Sequence, residues 1–521
     1  MNKEQAKTAF EITSPAMCNG TILGTLKGDA VCMPVNTRFN NNVIIYGAPG
    51  TGKSTTFVLN DVFQSVKRGE SLIMTDPSSE LYNTTAEYLR SQGYVVKVFN
   101  LVRPEHSNSW NCLNEVRGDE ELAQLFVNII ITNTSEKDGG NFWDANEMNL
   151  LKSLVLFVST CDGYDKKQKK LGRVYDLLVQ NDSKALDNIF NQLKDDNPAK
   201  FSYKLYKKGE EKNGGNIQQG LGIRLALFQA KKFRNIMSYD EIDLELPAKK
   251  KCAYFVIIPD QHSAYDFLSV LFFSFIFIDI TNYASNSDTG KCDVPVNFIL
   301  DEFPNIGQIP DFTKKLATVR KYDIAIRIIF QNLAQLQNRY PHNLWEDILG
   351  NCDTHLFLGC SDSLTADYVS KYSGIMGITV SSKQKNLNTI RISDNTPDFR
   401  ETSGQGKRYL FNPDEIRGLG ENTALVFRRG TNKTLKVNKF YYKNHSYYKK
   451  LKPCHIRNYI PEWRSELEKN IAKNLNAQNK SDSKAESVVN KANIKNPRSN
   501  SSAQTSTQSG KKYVEANKDK I

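Results

Sequence analysis

The segment Gly47 to Ser54 reads GAPGTGKS, and it constrains the fold of this chain more than any other stretch. Gly47, Gly50 and Gly52 permit a tight turn and let backbone N–H groups approach an anion with no Cβ in the way. The run before it, Val43-Ile44-Ile45-Tyr46, is apolar throughout, as a strand buried on both faces is. From about Lys53 to Val66 the pattern is helical, ending before Arg68-Gly69. Strand, glycine loop and helix N-terminus in that order make an anion site, and the G-x4-G-K-[ST] spacing makes the anion a nucleoside triphosphate. Gly47, Ala48, Pro49, Gly50, Thr51, Gly52, Lys53, Ser54 and Thr55 are expected to line it. Lys53 would reach the β- and γ-phosphates and the Ser54 hydroxyl would ligate magnesium, so ATP and Mg2+ are the expected cofactors.

Around the loop the pattern alternates. Ser71 to Thr75 is a second apolar run closed by Asp76-Pro77, Ser79 can cap a helix reaching about Ser91, and Tyr94 to Phe99 is a third strand. Short β-type runs precede them at Thr21 to Leu26 and Val31 to Met33. Strand, helix, strand at this spacing predicts βαβ units, an α/β fold and a largely parallel sheet. From about Asp119 to Asp240 the periodicity turns helical, at 122–131, 143–160, 174–179 and 217–230, with polar insertions such as Lys166 to Lys170 and Lys207 to Gly215. The sheet resumes at Ala253 to Ile258, then at 296–300, 324–330, 354–358 and 424–427. Phe267 to Ile280 is apolar over about 14 residues, short for a membrane span and typical of a buried helix.

A phosphate loop needs a metal-organising acid on a nearby strand. Phe298-Ile299-Leu300-Asp301-Glu302 supplies an apolar strand ending in two carboxylates, at the sheet edge where ligands of open α/β folds collect. Asp301 would hold magnesium, and Glu302 would polarise the attacking water as general base. Gln331 ends the strand 324–330 and could hydrogen-bond the γ-phosphate. Arg320 lies just before that strand and could reach a nucleotide on a neighbouring subunit. On residues alone, both read more readily as ordinary surface or capping residues. His262, His342 and His355 have no partners at metal-ligand spacing. Nine cysteines are scattered with no CxxC pair, which predicts reduced thiols and no disulfide framework.

A formal net charge of +12 over 521 residues favours an anionic partner such as nucleic acid or an acidic membrane surface. With 39% hydrophobic residues the chain can bury a sizeable core. Beyond about Leu467, Asn, Lys, Ser, Gln and Ala dominate, a composition expected to stay disordered.

Several segments in order now resemble the conjugative coupling proteins of the TraG/TraD type, ATPases that link DNA processing to a type IV secretion channel. They are GAPGTGKST, TDPSSELY, SNSWN around Trp110, NFWDANEMNLL, FILDEFPNIGQIPDF, the stretch from Arg320 to Gln335, SDSLTADYVSKYSG and NPDEIRGL. The likeness covers roughly residues 20–445. It implies a RecA-like motor interrupted by an all-helical domain, with four regions here. Residues 1–118 and 241–445 would form the nucleotide-binding α/β domain and 119–240 the inserted all-helical domain. Residues 446–521 would form a C-terminal extension, disordered from about 468.

Matched residue by residue, the resemblance puts Lys53 and Ser54 on the phosphate and magnesium positions and Asp301 and Glu302 on the acid pair. It makes Arg320 the inter-subunit arginine and Gln331 the sensor glutamine. Implied partners are single-stranded DNA with its relaxase, the type IV secretion channel components, and five further copies in a homo-hexamer, the isolated chain remaining able to stay monomeric. Two departures stand out. Ser78 and Ser79 follow Asp76-Pro77 where members usually carry a basic residue and glycine, and the membrane helices with which most members begin are not seen. The expected location is therefore peripheral, on the cytoplasmic face of a bacterial membrane, through a membrane-anchored partner. Two other readings stay open: an adaptor that binds ATP and recruits cargo without translocating it, and a DNA-pumping ATPase of the FtsK or HerA kind outside secretion.

Overall fold

The structure, a computed structural model, describes residues 1–469 apart from 2, 36, 135–140, 166, 214–215, 261–264, 386–398 and 432. The chain divides into two compact units, one of Met1–Val96, Glu245–Ala253 and Ile276–Pro453, the other of Lys97–Leu244, Tyr254–Phe275 and Cys454–Ile521. The strands are β1 (Glu11–Thr13), β2 (Ile22–Leu26), β3 (Asp29–Cys32), β4 (Val43–Tyr46), β5 (Ser71–Thr75), β6 (Val95–Asn100) and β7 (Cys252–Ile257). They continue with β8 (Val296–Leu300), β9 (Ile324–Phe330), β10 (Thr354–Phe357), β11 (Ile375–Lys385), β12 (Phe399–Tyr409), β13 (Thr423–Arg428) and β14 (Leu435–Asn438).

In the first unit the strand order is β1-β3-β2-β14-β13-β10-β4-β9-β8-β5. The run β10-β4-β9-β8-β5 is parallel at every pairing. From β10 outward through β13, β14, β2, β3 and β1 every pairing is antiparallel. β7 starts beside β5, where Cys252 N–H donates to Ser71 Oγ at 3.0 Å. The parallel strands are apolar end to end because both faces are covered, and β4, β5, β8 and β10 are buried at every position. The fold is α/β, as the residue pattern predicts.

One polar knot interrupts this apolar layer. Arg327 in β9 is only 2% exposed, and its Nε donates to Asp61 Oδ2 at 2.9 Å. Asp61 lies in the helix Leu59–Arg68 that follows the phosphate loop, and accepts also from Thr21 Oγ1 and Asn297 Nδ2, each at 2.8 Å. Burial pushes the Asp61 carboxyl up; Arg327, Arg68 and the two hydrogen bonds outweigh it and hold the group below its usual value. Such a pair is no large net gain, but removing one partner strands the other charge and costs about 3–5 kcal/mol.

The second unit is mainly helical, with helices Glu120–Thr134, Asn141–Thr160, Leu171–Gln180, Ser183–Asn191, Pro198–Asn213 and Asn216–Arg224. Helix Asn141–Thr160 carries the NFWDANEMNLL stretch. A Cβ on Gly209 would fall 1.8 Å from Asn146 Oδ1, so glycine lets Pro198–Asn213 pack close against it. Arg224 bonds the carboxylates of both Asp144 and Glu147. Phe272 stacks on Phe99 at 5.2 Å and meets Trp110 edge-on at 5.3 Å, and Trp110 Nε1 donates to Glu115 Oε1 at 3.0 Å.

Several expectations need correction. The stretch 207–213 is no polar insertion: it continues the helix from Pro198. Cys18 and Cys32 form a disulfide with sulfurs 2.06 Å apart, brought together by the pairing of β2 with β3 and not signalled by any CxxC spacing. Ser79 stands at the N-terminus of helix Glu80–Ser91 without capping it; the Asp76 carboxylate accepts from the N–H groups of Leu81 and Tyr82 at 3.2 and 2.8 Å instead. β11 and β12 form a separate antiparallel ribbon that polar, glycine-containing sequence concealed. The apolar helix runs Asp266–Asn286, long and apolar enough to cross a membrane, yet 78% of its apolar window is buried inside the fold. His262 and the tail from about 468 lie at or beyond the limits of the described residues; 470–521 and 261–264 are outside them.

Candidate nucleotide site

The loop leaves β4 at Gly47, whose N–H donates to Phe330 O at the end of β9, while Ala48 N–H donates to Gly359 O just past β10. Thr51 N–H turns back to Ala48 O at 3.2 Å, and Pro49 has no N–H. That leaves Gly50 and Gly52, at φ +80° and +85°, with N–H groups that meet no acceptor among the described residues. A Cβ at Gly47 would sit 2.6 Å from Lys53 Cγ, so the lysine stem occupies the space glycine vacates. The chain then enters a wide turn at Ser54–Val58, where Leu59 N–H bonds Ser54 O, before the regular helix begins at Leu59. Thr55 and Thr56 hydroxyls both return to Gly52 O, at 3.3 and 2.7 Å.

Lys53 Nζ donates to Gly47 O and to Glu302 Oε1, each at 2.9 Å. Gln331 Nε2 donates to the same Glu302 oxygen at 3.0 Å. Three residues from the ends of β4, β8 and β9 thus converge, as the parallel order of those strands requires. Glu302 holds a left-handed backbone at φ +51°, uncommon without glycine, which turns the chain sharply after β8. Asp301 Oδ1 accepts the N–H of Glu302 at 3.1 Å, and Thr75 Oγ1 donates to Asp301 O at 2.6 Å. Desolvation, then the neighbouring Glu302, raise the Asp301 carboxyl to about 6, against the pull of Lys53.

Asp76, which in sequence only closes the second apolar run, lies in the same corner as Asp301. Its carboxyl is pushed up to about 7 by burial, opposed by the bonds from Tyr82 and Leu81 and reinforced by Asp301 and Glu80. Four acids, Asp76, Glu80, Asp301 and Glu302, therefore influence a corner whose nearest cation is Lys53. No three His, Cys, Asp or Glu side chains converge as a protein-only metal site among the described residues. One carboxylate, one hydroxyl and a surplus of negative charge fit magnesium carried in with phosphates, the usual way that ion is held. Gly359 and Lys439 also touch the loop; neither lies in a motif that sequence alone could flag.

Arg320 is not part of this cluster. It lies in the turn Val319–Tyr322 before β9, while Gln331 follows the end of β9. The seven residues of β9 separate the two by roughly 20 Å at the rise of a strand. Arg320 is exposed, its Nη2 donates to Thr37 O at 3.3 Å, and it lines a groove of about 860 Å3 with Val35, Phe39 and Lys321.

Known proteins resemble this arrangement. The model of the family described as type IV secretory system conjugative DNA transfer matches residues 2–490. Protein VirD4 of Rhizobium rhizogenes is 24% identical over 410 residues, covering 74% of this chain and 56% of the relative. A probable conjugal transfer protein TraG of Sinorhizobium fredii is 20% identical over 404 residues, covering 74% and 60%. The chain thus spans little more than half the length of these relatives. Among solved structures, the bacterial conjugative coupling protein TrwBdeltaN70 in its unbound form aligns with a TM-score of 0.60 at 14% identity, over 84% of this chain and 90% of that one. TrwB in complex with ADP and Mg2+ aligns with a TM-score of 0.59 at 13% identity, over 84% and 92%. With the phosphate-loop corner and the family match in agreement over most of its length, the chain belongs to the conjugative DNA-transfer proteins of type IV secretion systems.

Proposed function

We propose that this chain is an ATP-driven coupling protein, which recruits a relaxase–DNA complex and moves single-stranded DNA, or protein, towards a type IV secretion channel. The observation that carries the reading is the meeting of Lys53, Glu302 and Gln331 beside the unengaged N–H groups of Gly50 and Gly52. TrwB, bound to ADP and Mg2+, supports the same ligands here. Gly50 and Gly52 N–H would hold phosphate oxygens, Lys53 would pass from Glu302 to the β- and γ-phosphates, and Ser54 and Asp301 would hold magnesium. Magnesium, when bound, supplies charge that offsets the acids of this corner and the developing charge on the phosphates. Once Lys53 leaves, the Glu302 carboxylate is free to take a proton from the attacking water, with Gln331 orienting it.

Arg320 suits a head-to-tail ring in which each copy completes its neighbour's site, and a hexamer is the ring we infer. The helical region 119–240 is the part we assign to cargo recognition, and a peripheral position on the cytoplasmic membrane face through an anchored partner completes the proposal. The net charge of +12 suits a channel that tracks a phosphate backbone. The test is ATP turnover by the purified chain with and without single-stranded DNA. Glu302→Gln is expected to bind MgATP and to lose turnover by about 100-fold or more. Wild-type protein that binds ATP but turns none over, in any oligomeric state, would overturn the motor in favour of an ATP-binding adaptor.

A further inference from the structure

A second lysine reaches the phosphate loop from outside every motif. Lys439 follows β14, its side chain is 8% exposed, and its Nζ donates to Thr51 O at 2.9 Å. Its own N–H is fixed to Asn422 O at 2.8 Å, and Phe440 next to it accepts at its carbonyl from Asn60 Nδ2 at 2.7 Å. The strand end that carries Lys439 is therefore tied both to the loop and to the helix after it. Among the described residues no carboxylate pairs with this ammonium within ion-pair distance. Burial of an ammonium against a neutral carbonyl is costly, and this one is held below its ordinary value by desolvation.

What the contact fixes is a peptide plane. In a trans peptide the carbonyl and the following N–H point in opposite directions, so anchoring Thr51 O outward aims Gly52 N–H inward. Without the anchor that plane could rotate cheaply, because Gly52 at φ +85° tolerates conformations that other residues do not. Gly52 N–H is one of the loop donors that meet no acceptor among the described residues. We infer that Lys439 is a positioning residue for nucleotide binding, holding the Thr51–Gly52 peptide in the orientation that presents Gly52 N–H to phosphate.

This inference rests on the nucleotide-binding reading above. The experiment is calorimetric titration of MgADP into the wild-type chain, Lys439→Met, Lys439→Arg and Lys53→Ala, with unfolding midpoints recorded without nucleotide. Lys439→Met is expected to weaken MgADP about tenfold, the size of one well-placed hydrogen bond lost. Lys439→Arg, which keeps a charged donor of similar reach, is expected to recover most of that loss. Equal affinity in Lys439→Met and wild type overturns the inference while leaving nucleotide binding intact. So does Lys439→Arg as weak as Lys439→Met with an unchanged midpoint. Wild-type protein that fails to bind MgADP, alongside Lys53→Ala, overturns the nucleotide reading itself and this inference with it. Should Lys439→Met not fold, Lys439→Ala, which also removes the donor to Thr51 O and admits solvent in place of the side chain, serves in its place with the same expected loss.

Discussion

The two ends of β9 are built on opposite principles. At the end near Gln331 the central pair is held from within the chain: Lys53 by Glu302 and Gly47, and Glu302 by Lys53 and Gln331. At the other end Arg320 stands exposed at the rim of a groove, its guanidinium donating to a single backbone carbonyl, Thr37 O. One strand thus carries a site assembled in place at one edge and, at the other, a cation with no ion-pair partner among the described residues. On the reading proposed above, these would be two halves of a reaction centre that do not face each other within one chain. A second copy is the simplest way to join them.

The sharpest way to break this contrast is Arg320→Ala. Hydrolysis at saturating ATP is expected to fall by about 10³-fold while MgADP affinity in the isolated chain stays unchanged, as the proposed role at a neighbour's nucleotide requires. Full turnover in this variant would reduce Arg320 to a surface residue.

A second effect tests how firmly the sheet is closed behind the phosphate loop, where β10 pairs with β4. His355, near the start of β10, bonds Tyr46 OH at 2.8 Å and the carbonyls of Leu349 and Cys352 at 3.1 Å. Burial lowers its value to about 4, although the carbonyl bonds oppose this. A histidine held neutral in the fold takes up its proton more readily when unfolded. Its contribution is therefore complete above about pH 6.5 and lost as pH falls towards about 4, by an amount on the order of 3 kcal/mol. Comparing unfolding midpoints of wild type and His355→Asn across that range isolates it; identical pH slopes would show that this ring makes no such contribution.

The smallest expected effect is Gln331→Ala, which removes one of two donors to Glu302. Turnover should drop about tenfold with MgADP affinity preserved, about the worth of one hydrogen bond to a charged group. A fall in affinity instead would mean that Gln331 shapes the empty pocket.

The parallel core was readable because strands covered on both faces must be apolar throughout, and 296–300 and 324–330 fall within the chain where the pattern puts them. Glu302 and Gln331 were readable for the same reason: each is the first polar residue after such a run, or the one beside it. What stayed hidden depends on pairings made at a distance. The β11–β12 ribbon has no buried face to impose alternation. Cys18 and Cys32 meet only through the β2–β3 pairing, and Asp76 reveals its capping role only once the helix start is known. Lys439 is 388 residues from Thr51 in sequence, and no local pattern marks it.

Asp61 and Arg327 restrict how such a chain can vary. The pair ties the helix after the phosphate loop to the strand that ends beside Gln331. Loss of either residue alone leaves a stranded charge in the sheet's interior, and replacing both would still take from Thr21 and Asn297 the carboxylate they donate to. The two positions are therefore expected to vary together, because a change at one alone passes through an unstable intermediate. Across descendants the two sites are expected to be inherited as one character.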